Sequence, residues 1–377
     1  MIETPRQFDG TGALSLAHRI FRSLHIDAPL LAGLAALCAV GLLVLYSADG
    51  GNLARVQSQL LRIGVAFCAM MVLCQVPPNF LRVWSPWLFG IGMVLLLLVA
   101  LTGDVGKGAQ RWLDLKFIRF QPSELMKLAM PMVIAWYLHT RALPPRPREL
   151  LVLALFIAAP ALSIARQPDL GTALLVASSG LFVVFLAGVR LRLVFGFGAL
   201  AVAGAPVLWH FMKEYQKSRV LTFLNPERDP LGSGYHIIQS KIAIGSGGVF
   251  GKGWLNSTQA QLEFLPESST DFIFAVIGEE FGLVGLVLVL GLYMFVLARC
   301  MYIAMEAQDT YSRLLAGGLA LTFFVYVFVN TGMVTGLLPV VGVPLPLISY
   351  GGTSMVTLMA GFGILMSVHT HRKLLAK

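Results

Sequence analysis

The chain has 377 residues, of which 57% are hydrophobic and only 12% are charged, and its net charge is +9. Soluble domains carry about twice this fraction of charged residues, so the composition excludes a pair of ordinary soluble domains. The hydrophobic residues come in runs, and a helix that crosses a bilayer needs a run of roughly 20 residues. We therefore predict a single all-α membrane domain over residues 1–377, with no nucleic-acid partner.

Ten apolar runs predict about ten transmembrane helices. They lie near residues 28–47, 57–76, 86–103, 122–140, 149–166, 170–188, 193–212, 271–299, 314–332 and 351–369. The polar segment 1–27 is longer than an ordinary signal peptide, so the first run is interpreted as a retained helix. The four cysteines fall inside apolar runs and lack the spacing of a zinc site or a disulfide framework.

The basic residues predict how the chain is oriented. Half of the 28 Lys and Arg residues fall in the termini and in the loops on the same side as the termini. Short cytoplasmic loops are enriched in Lys and Arg, so we predict cytoplasmic termini, with segment 1–27 inside the cell.

Two loops on the opposite side are also basic. One is short, near residues 104–121, and contains Arg111; the other is the large loop 213–270, which contains Arg219. Exporting a short basic loop runs against the usual distribution of charge. An anionic ligand at the outer surface would compensate for it.

Ionisable groups inside apolar runs mark candidate functional sites, because such groups are costly in a membrane. Glu124 and Lys127 are three residues apart and can pair on one helix face, with Ser123 as the predicted helix cap. Asp169 interrupts the apolar sequence between the fifth and sixth runs and could also partner Lys127. For each group, a structural ion pair and a functional polar cavity remain open.

Asp271 stands where the large basic loop meets the eighth apolar run. A carboxylate there could simply cap the helix, or it could act in catalysis. Glu279 and Glu280, further along the same run, are predicted to pack structurally. The glycine-rich segment 245–253 lacks the P-loop pattern and is predicted to be a flexible loop, so no nucleotide is expected.

Three long motifs resemble the SEDS family of cell-wall polymerases. They are residues 234–248 (GYHIIQSKIAIGSGG), residues 261–275 with QLEFLPE and TDFIFA, and residues 337–354 (LLPVVGVPLPLISYGGTS). The first and third are most similar to the branch that acts in cell elongation. The resemblance implies a polytopic protein of the bacterial inner membrane that polymerises lipid II, the undecaprenyl-pyrophosphate-linked precursor of peptidoglycan, at the outer face. It also implies a class B penicillin-binding protein as partner.

The resemblance maps the essential aspartate of the family onto Asp271, which would act as a general base. Arg111, Lys127 and Arg219 would hold the pyrophosphates. Glu124 and Asp169 would orient Lys127 or help to hold a divalent cation, Mg²⁺ or Mn²⁺. Two alternatives remain open: a flippase for the lipid-linked precursor, and a non-catalytic scaffold for the penicillin-binding protein.

Overall fold

The computed structural model describes residues 24–106, 109–114, 119–189, 214–225 and 233–371, with isolated positions between 196 and 212. Nine long helices cross the described part from one end to the other. They are α1 (Ala28–Ala48), α2 (Leu53–Cys74), α3 (Pro78–Thr102), α4 (Pro122–Leu138), α5 (Pro147–Arg166), α6 (Leu170–Leu186), α10 (Ile273–Met305), α11 (Thr310–Val334) and α12 (Thr353–Thr370).

Seven of these helices are long and apolar enough to span a membrane, whereas α4 and α6 have 17 residues each. The prediction of an all-α polytopic membrane protein is therefore confirmed. The count of ten spans stays a prediction, because most of the predicted span 193–212 lies outside the described residues.

The helix ends follow from local sequence. The Asp27 carboxylate accepts a hydrogen bond from the Leu30 N–H and caps α1, and Asn52 caps α2 in the same way. Proline, which lacks an N–H to lose, stands at the first position of α3 and α5. These breaks turn the chain at two ends, which we call the Asp27 end and the Asp271 end.

The short basic loop near 104–121 forms a small antiparallel sheet at the Asp271 end. Its strands are β1 (Asp104–Gly106), β2 (Ala109–Asp114) and β3 (Arg119–Phe120), in the order β1-β2-β3. Leu113 of β2 pairs with Phe120 of β3. Because Phe120 lies two residues before α4, the sheet fixes the main chain of β2 beside the start of α4.

The large loop 213–270 contains three helices in its described part: α7 (Glu214–Leu224), α8 (Ser233–Gly247) and α9 (Thr258–Gln261). The prediction that segment 245–253 is a flexible loop is wrong. A side chain at Gly247 or at Gly251 would clash with the backbone of α10, so this segment packs against that helix. Its glycines permit the close approach of two main chains.

The α10 helix is kinked at Gly282, where φ is 63° and ψ is −160°. Two helical hydrogen bonds are missing there, and segment 248–253 replaces them. The carbonyls of Glu279 and Glu280 accept from the N–H groups of Lys252 and Gly253, both at 2.9 Å. The N–H groups of the next turn donate to the carbonyls of residues 248 and 249 at 3.0 and 3.1 Å.

The Glu279 and Glu280 side chains are both buried beside this kink. Glu279 contacts the Lys252 ammonium at 2.7 Å and accepts hydrogen bonds from Ser257 and from the N–H of Thr258. It therefore anchors the start of α9 to α10.

The interior and the lipid-facing surface are formed by different helices. Helices α11 and α12 are largely buried, whereas α2 and α3 expose apolar side chains such as Leu61, Val65 and Trp87. At the Asp27 end, Asp27 pairs with Arg299 at 2.6 Å and lies 3.4 Å from His369. This cluster ties α1, α10 and α12 together.

Candidate active site at the Asp271 end

Asp271 lies in a turn immediately before α10, and its side chain is partly exposed. Hydrogen bonds fix the three carbonyl groups that lead into the turn. The Ser269 carbonyl accepts from the Tyr350 N–H at 2.8 Å, and the Thr270 carbonyl accepts from the Ser349 hydroxyl. The Asp271 carbonyl accepts from the Asn330 side chain at 2.8 Å. The backbone at Asp271 is therefore held rigidly.

A glycine lies directly beside the Asp271 carboxylate. Gly342 has φ of +71°, a conformation that other residues adopt only with strain. A Cβ at this position would lie 3.4 Å from Oδ2 of Asp271. Glycine therefore both permits this turn and keeps space open next to the carboxylate.

Glu124 and Lys127 form the predicted ion pair at the start of α4. Lys127 Nζ lies 2.7 Å from Glu124 Oε1, and both side chains are buried. The ammonium also lies 5.1 Å from the centroid of the Tyr326 ring, a cation–π distance. The predicted cap is wrong: α4 begins at Pro122 with Gln121 as its N-cap residue, so Ser123 lies inside the first turn.

Asp169 caps α6 and reaches the start of α4. Its Oδ1 accepts from the Thr172 N–H at 3.2 Å, and its Oδ2 accepts from Gln121 Nε2 at 3.3 Å. The predicted break between the fifth and sixth spans is present, since α5 ends at Arg166 and α6 begins at Leu170. The predicted contact between Asp169 and Lys127 is not formed in the described part of the chain, where Asp169 contacts Gln121, the N-cap residue of α4.

One turn of α11 connects the two groups. Tyr326 packs against Lys127, and Asn330, four residues later, holds the Asp271 turn. Four residues of helix rise about 6 Å. The Glu124–Lys127 pair thus lies about one helical turn deeper than the backbone of Asp271, at the same end of the molecule.

The two predicted arginines are placed only by their main chain. Arg111 lies in β2, the strand whose end is fixed beside the start of α4, and Arg219 lies in α7. Their side chains lie outside the described part of the structure.

A polar groove opens next to the Asp271 turn. Its volume is about 760 Å³, and its walls include Asp49, Arg55, Glu263, Glu267 and Ser268. This groove leads from the exposed surface toward the residues that precede Asp271.

The described residues contain no group of three His, Cys, Asp or Glu side chains that could hold a metal by themselves. Mg²⁺ needs less than this when a substrate supplies phosphate oxygens, because one or two carboxylates then suffice. Glu124 Oε2 is buried and makes no hydrogen bond to the described residues. The Glu124 carboxylate is therefore compatible with a cation that arrives already bound to a phosphate.

Two positioning residues were missed by sequence reasoning. Asn330 lies in an apolar run, where one amide gives little signal, and Ser349 lies in the motif 337–354, which carried the family resemblance without a structural role. The structure assigns both of them to the Asp271 turn.

The helical domain gathers a fixed carboxylate, a buried ion pair and a polar groove at one end. These features define a class: an integral membrane protein with a candidate site for a polar ligand at that end. Residues 28–374 match the family model for FtsW, RodA and SpoVE, described as "Cell cycle protein". The chain belongs to this family.

Similar proteins cover nearly the whole chain. "Peptidoglycan glycosyltransferase MrdB" of Escherichia coli (strain K12) is 52% identical over 355 residues, which are 94% of this chain and 96% of that protein. A chain of a peptidoglycan synthase complex that coordinates polymerization and crosslinking is 35% identical, with a TM-score of 0.81, over 92% of this chain and 98% of that one. Thermus thermophilus rod shape determining protein RodA is 30% identical, with a TM-score of 0.70 and the same two coverages.

Proposed function

We propose that this chain is a peptidoglycan glycosyltransferase that polymerises lipid II into glycan strands during cell elongation. The name of the 52% identical relative supports the reaction class, and that of RodA supports a role in cell shape. The single observation that carries the mechanism is the Asp271 carboxylate. It is partly exposed on a turn with three fixed carbonyls, one helical turn above a buried Lys–Glu pair.

In this mechanism Asp271 is the general base. It takes the proton from the acceptor sugar hydroxyl while the oxygen of that hydroxyl forms a bond to the anomeric carbon of the donor. The bond from that carbon to the diphosphate breaks, and the diphosphate leaves with the electron pair. One displacement inverts the anomeric centre. Diphosphate is a good leaving group, so a second carboxylate to protonate it, as in inverting hydrolases, is unnecessary.

Cations would stabilise the charge that develops on the diphosphate. Lys127, Arg111 and Arg219 are the proposed residues. Lys127 is held by Glu124 at 2.7 Å, which offsets part of the cost of burying the two charges inside the membrane domain. Because this pair is neutral as a whole, the two arginines would supply most of the net positive charge.

A divalent cation that arrives with the diphosphate would be held by Glu124 and Asp169. It would offset the negative charge of the phosphates. Glu124→Gln should then weaken Mn²⁺ binding to the chain loaded with undecaprenyl diphosphate, measured by electron paramagnetic resonance. Equal Mn²⁺ binding by both proteins would remove Glu124 from this role.

We also propose how the chain is oriented in the membrane and which protein it binds. The Asp271 end would face the outside of the bacterial inner membrane, with both termini in the cytoplasm, as the distribution of Lys and Arg indicates. The partner would be a class B penicillin-binding protein, which would crosslink the new strands. The similarity to a synthase complex that couples polymerization to crosslinking supports this partner.

The test is polymerisation of labelled lipid II by purified protein in detergent, with and without a transpeptidase-inactive partner. Asp271→Asn should lower the rate by about 10²–10⁴-fold, the usual contribution of a positioned base. Asp309→Asn is the matched control, because Asp309 caps α11 at the other end and asparagine also caps well.

The same assay separates the two alternatives. A flippase has no membrane barrier to act across in detergent and would yield no glycan. If the chain were only a scaffold, Asp271→Asn would not change the amount of glycan that the complex forms. An Asp271→Asn protein with the wild-type rate would overturn the assignment of the base.

A further inference from the structure

Two arginines of α2 face the same aromatic ring. Arg55 and Arg62 are seven residues apart, which places them on one face of the helix. Their guanidinium carbons lie 5.7 and 4.3 Å from the centroid of the Tyr350 ring. Two like charges therefore share one ring, and an anion bound beside them would offset their repulsion.

In the described part of the structure, a carboxylate offsets the charge of only one of the two arginines. Arg55 pairs with Asp49. In the ranges that the structure describes, no carboxylate lies within ion-pair distance of Arg62, whose contact is the Tyr350 ring. Arg62 lies roughly 14 Å along the helix from Leu53, next to the lipid-facing Leu61. A cation placed so in a membrane helix is costly and marks a functional site.

This pair of arginines, which we call the α2 arginine pair, lies beside the Asp271 turn. Between them, Gln59 donates to the Ser349 carbonyl and accepts from the Gly351 N–H, both at 3.3 Å. The Tyr350 N–H in turn binds the Ser269 carbonyl. Gln59, between the two arginines, therefore links α2 to the segment that holds the Asp271 turn, whereas Lys127 lies below this turn on α4.

Three surfaces meet at the α2 arginine pair. The 760 Å³ polar groove has Arg55 in its wall, together with Glu263 and Glu267. Beside Arg62 and about one turn deeper, α2 exposes Leu61 and Val65 to lipid. The groove would fit the saccharide of a lipid-linked sugar, and the α2 arginine pair would fit its phosphates. The apolar face of α2 would fit its polyprenyl chain. A simple phospholipid would leave the groove unused.

We propose that Arg62, assisted by Arg55, binds the diphosphate of a second polyprenyl-linked saccharide. The two substrates then approach Asp271 from different sides, one by the Lys127 site and the other by α2. This inference rests on the proposed function, because a polymerase must hold two lipid-linked sugars at once. It places one diphosphate away from Lys127, Arg111 and Arg219, the residues to which the sequence assigned both.

The test measures binding in the Asp271→Asn background, where substrate is consumed about 10²–10⁴-fold more slowly. Fluorescent lipid II is titrated in detergent, and phosphatidylglycerol nanodiscs are the second probe. Arg62→Gln should weaken one of two lipid II binding events by at least about tenfold, the loss expected for a charge-assisted hydrogen bond. Arg55→Gln should have a smaller effect, because Asp49 already offsets its charge. Arg148→Gln, which removes an exposed charge at the Asp27 end, is the matched control.

Each outcome decides the inference. A loss for lipid II with unchanged phosphatidylglycerol binding supports it. Unchanged lipid II binding by Arg62→Gln overturns it, and so does an equal loss for both lipids, which would indicate a general headgroup site. Arg55 is exposed, so its variant reports on binding even if Arg62→Gln misfolds. If the chain with Asp271 intact binds lipid II but makes no glycan, the proposed function fails, whereas the comparison with Arg62→Gln still shows whether α2 binds the diphosphate of this lipid.

Discussion

Asn330 provides the sharpest test of how the site is built. Its side chain is fully buried in α11, and its Nδ2 donates to the carbonyls of Asp271 and Val343, both at 2.8 Å. One amide thus links the Asp271 turn to the segment that carries Gly342. Asn330→Ala would remove both hydrogen bonds and leave the backbone of α11 in place.

The magnitude follows from these two contacts. Hydrogen bonds between helices in a membrane protein contribute about 0.6 kcal/mol on average and up to about 1.7 kcal/mol. Two of them give a predicted loss of stability of about 1–3 kcal/mol. The effect on catalysis should be larger, because a displacement of about 1 Å at a reacting group can lower the rate about 10²-fold.

Initial rates of lipid II polymerisation measure the catalytic effect, and unfolding in detergent measures the stability. We expect kcat to fall by about 10²-fold with little change in KM, since Asn330 contacts the turn and no proposed substrate-binding side chain. Thr331→Ala is the control, because its hydroxyl bonds within α11 and to no other element that the structure describes. A variant Asn330→Ala that loses stability but keeps the wild-type kcat would refute the positioning role.

Three further predictions concern other parts of the fold. Glu124→Gln should lower the free energy of unfolding by about 3–5 kcal/mol, because it leaves the Lys127 charge buried and unpaired. The double variant Glu124→Gln/Lys127→Met should recover most of this loss, measured in the same unfolding assay. Gly251→Ala should lower the melting temperature and open the loop to protease, because φ is +80° there and a Cβ would clash with α10; equal proteolysis of both proteins would contradict this. Burial opposes the charge of Asp27, but hydrogen bonds from Arg299 and from a backbone N–H outweigh it and hold the pKa of Asp27 below its ordinary value. Asp27→Asn should therefore reduce the melting temperature at all pH values above about 4, and the difference from wild type should close only as the pH falls below that value; a difference that already closes near pH 6 would contradict the assignment.

The membrane fold was predictable from sequence because apolar runs of spanning length are a strong local signal. Helix caps were less predictable. Ser123 has the right chemistry for a cap, yet α4 already begins at Pro122, so its cap residue is Gln121, two residues before Ser123. The glycine segment 245–253 was misread because nothing local shows that α10 lacks two of its own hydrogen bonds at Gly282.

The candidate site was predictable only in part. The pair of Glu124 and Lys127 follows from a spacing of three residues on one helix, and the structure contains it. The contacts of Asp271 with Asn330 and of Gln59 with Ser349 join residues 59 and 290 positions apart along the chain. Spacing along a sequence carries no information about such partners, so the role of motif 337–354 became visible only in three dimensions.

The kink at Gly282 has a consequence for how the protein is made. The chain leaves the ribosome from its N-terminus, so segment 248–253 emerges before Gly282 does. The backbone groups that lack a partner within α10 can therefore form hydrogen bonds with segment 248–253 as soon as α10 inserts. Because this segment precedes α10 in the sequence, the kinked helix need not enter the lipid with these groups unpaired. We expect a protein split between these segments, with the earlier half supplied late, to insert α10 poorly.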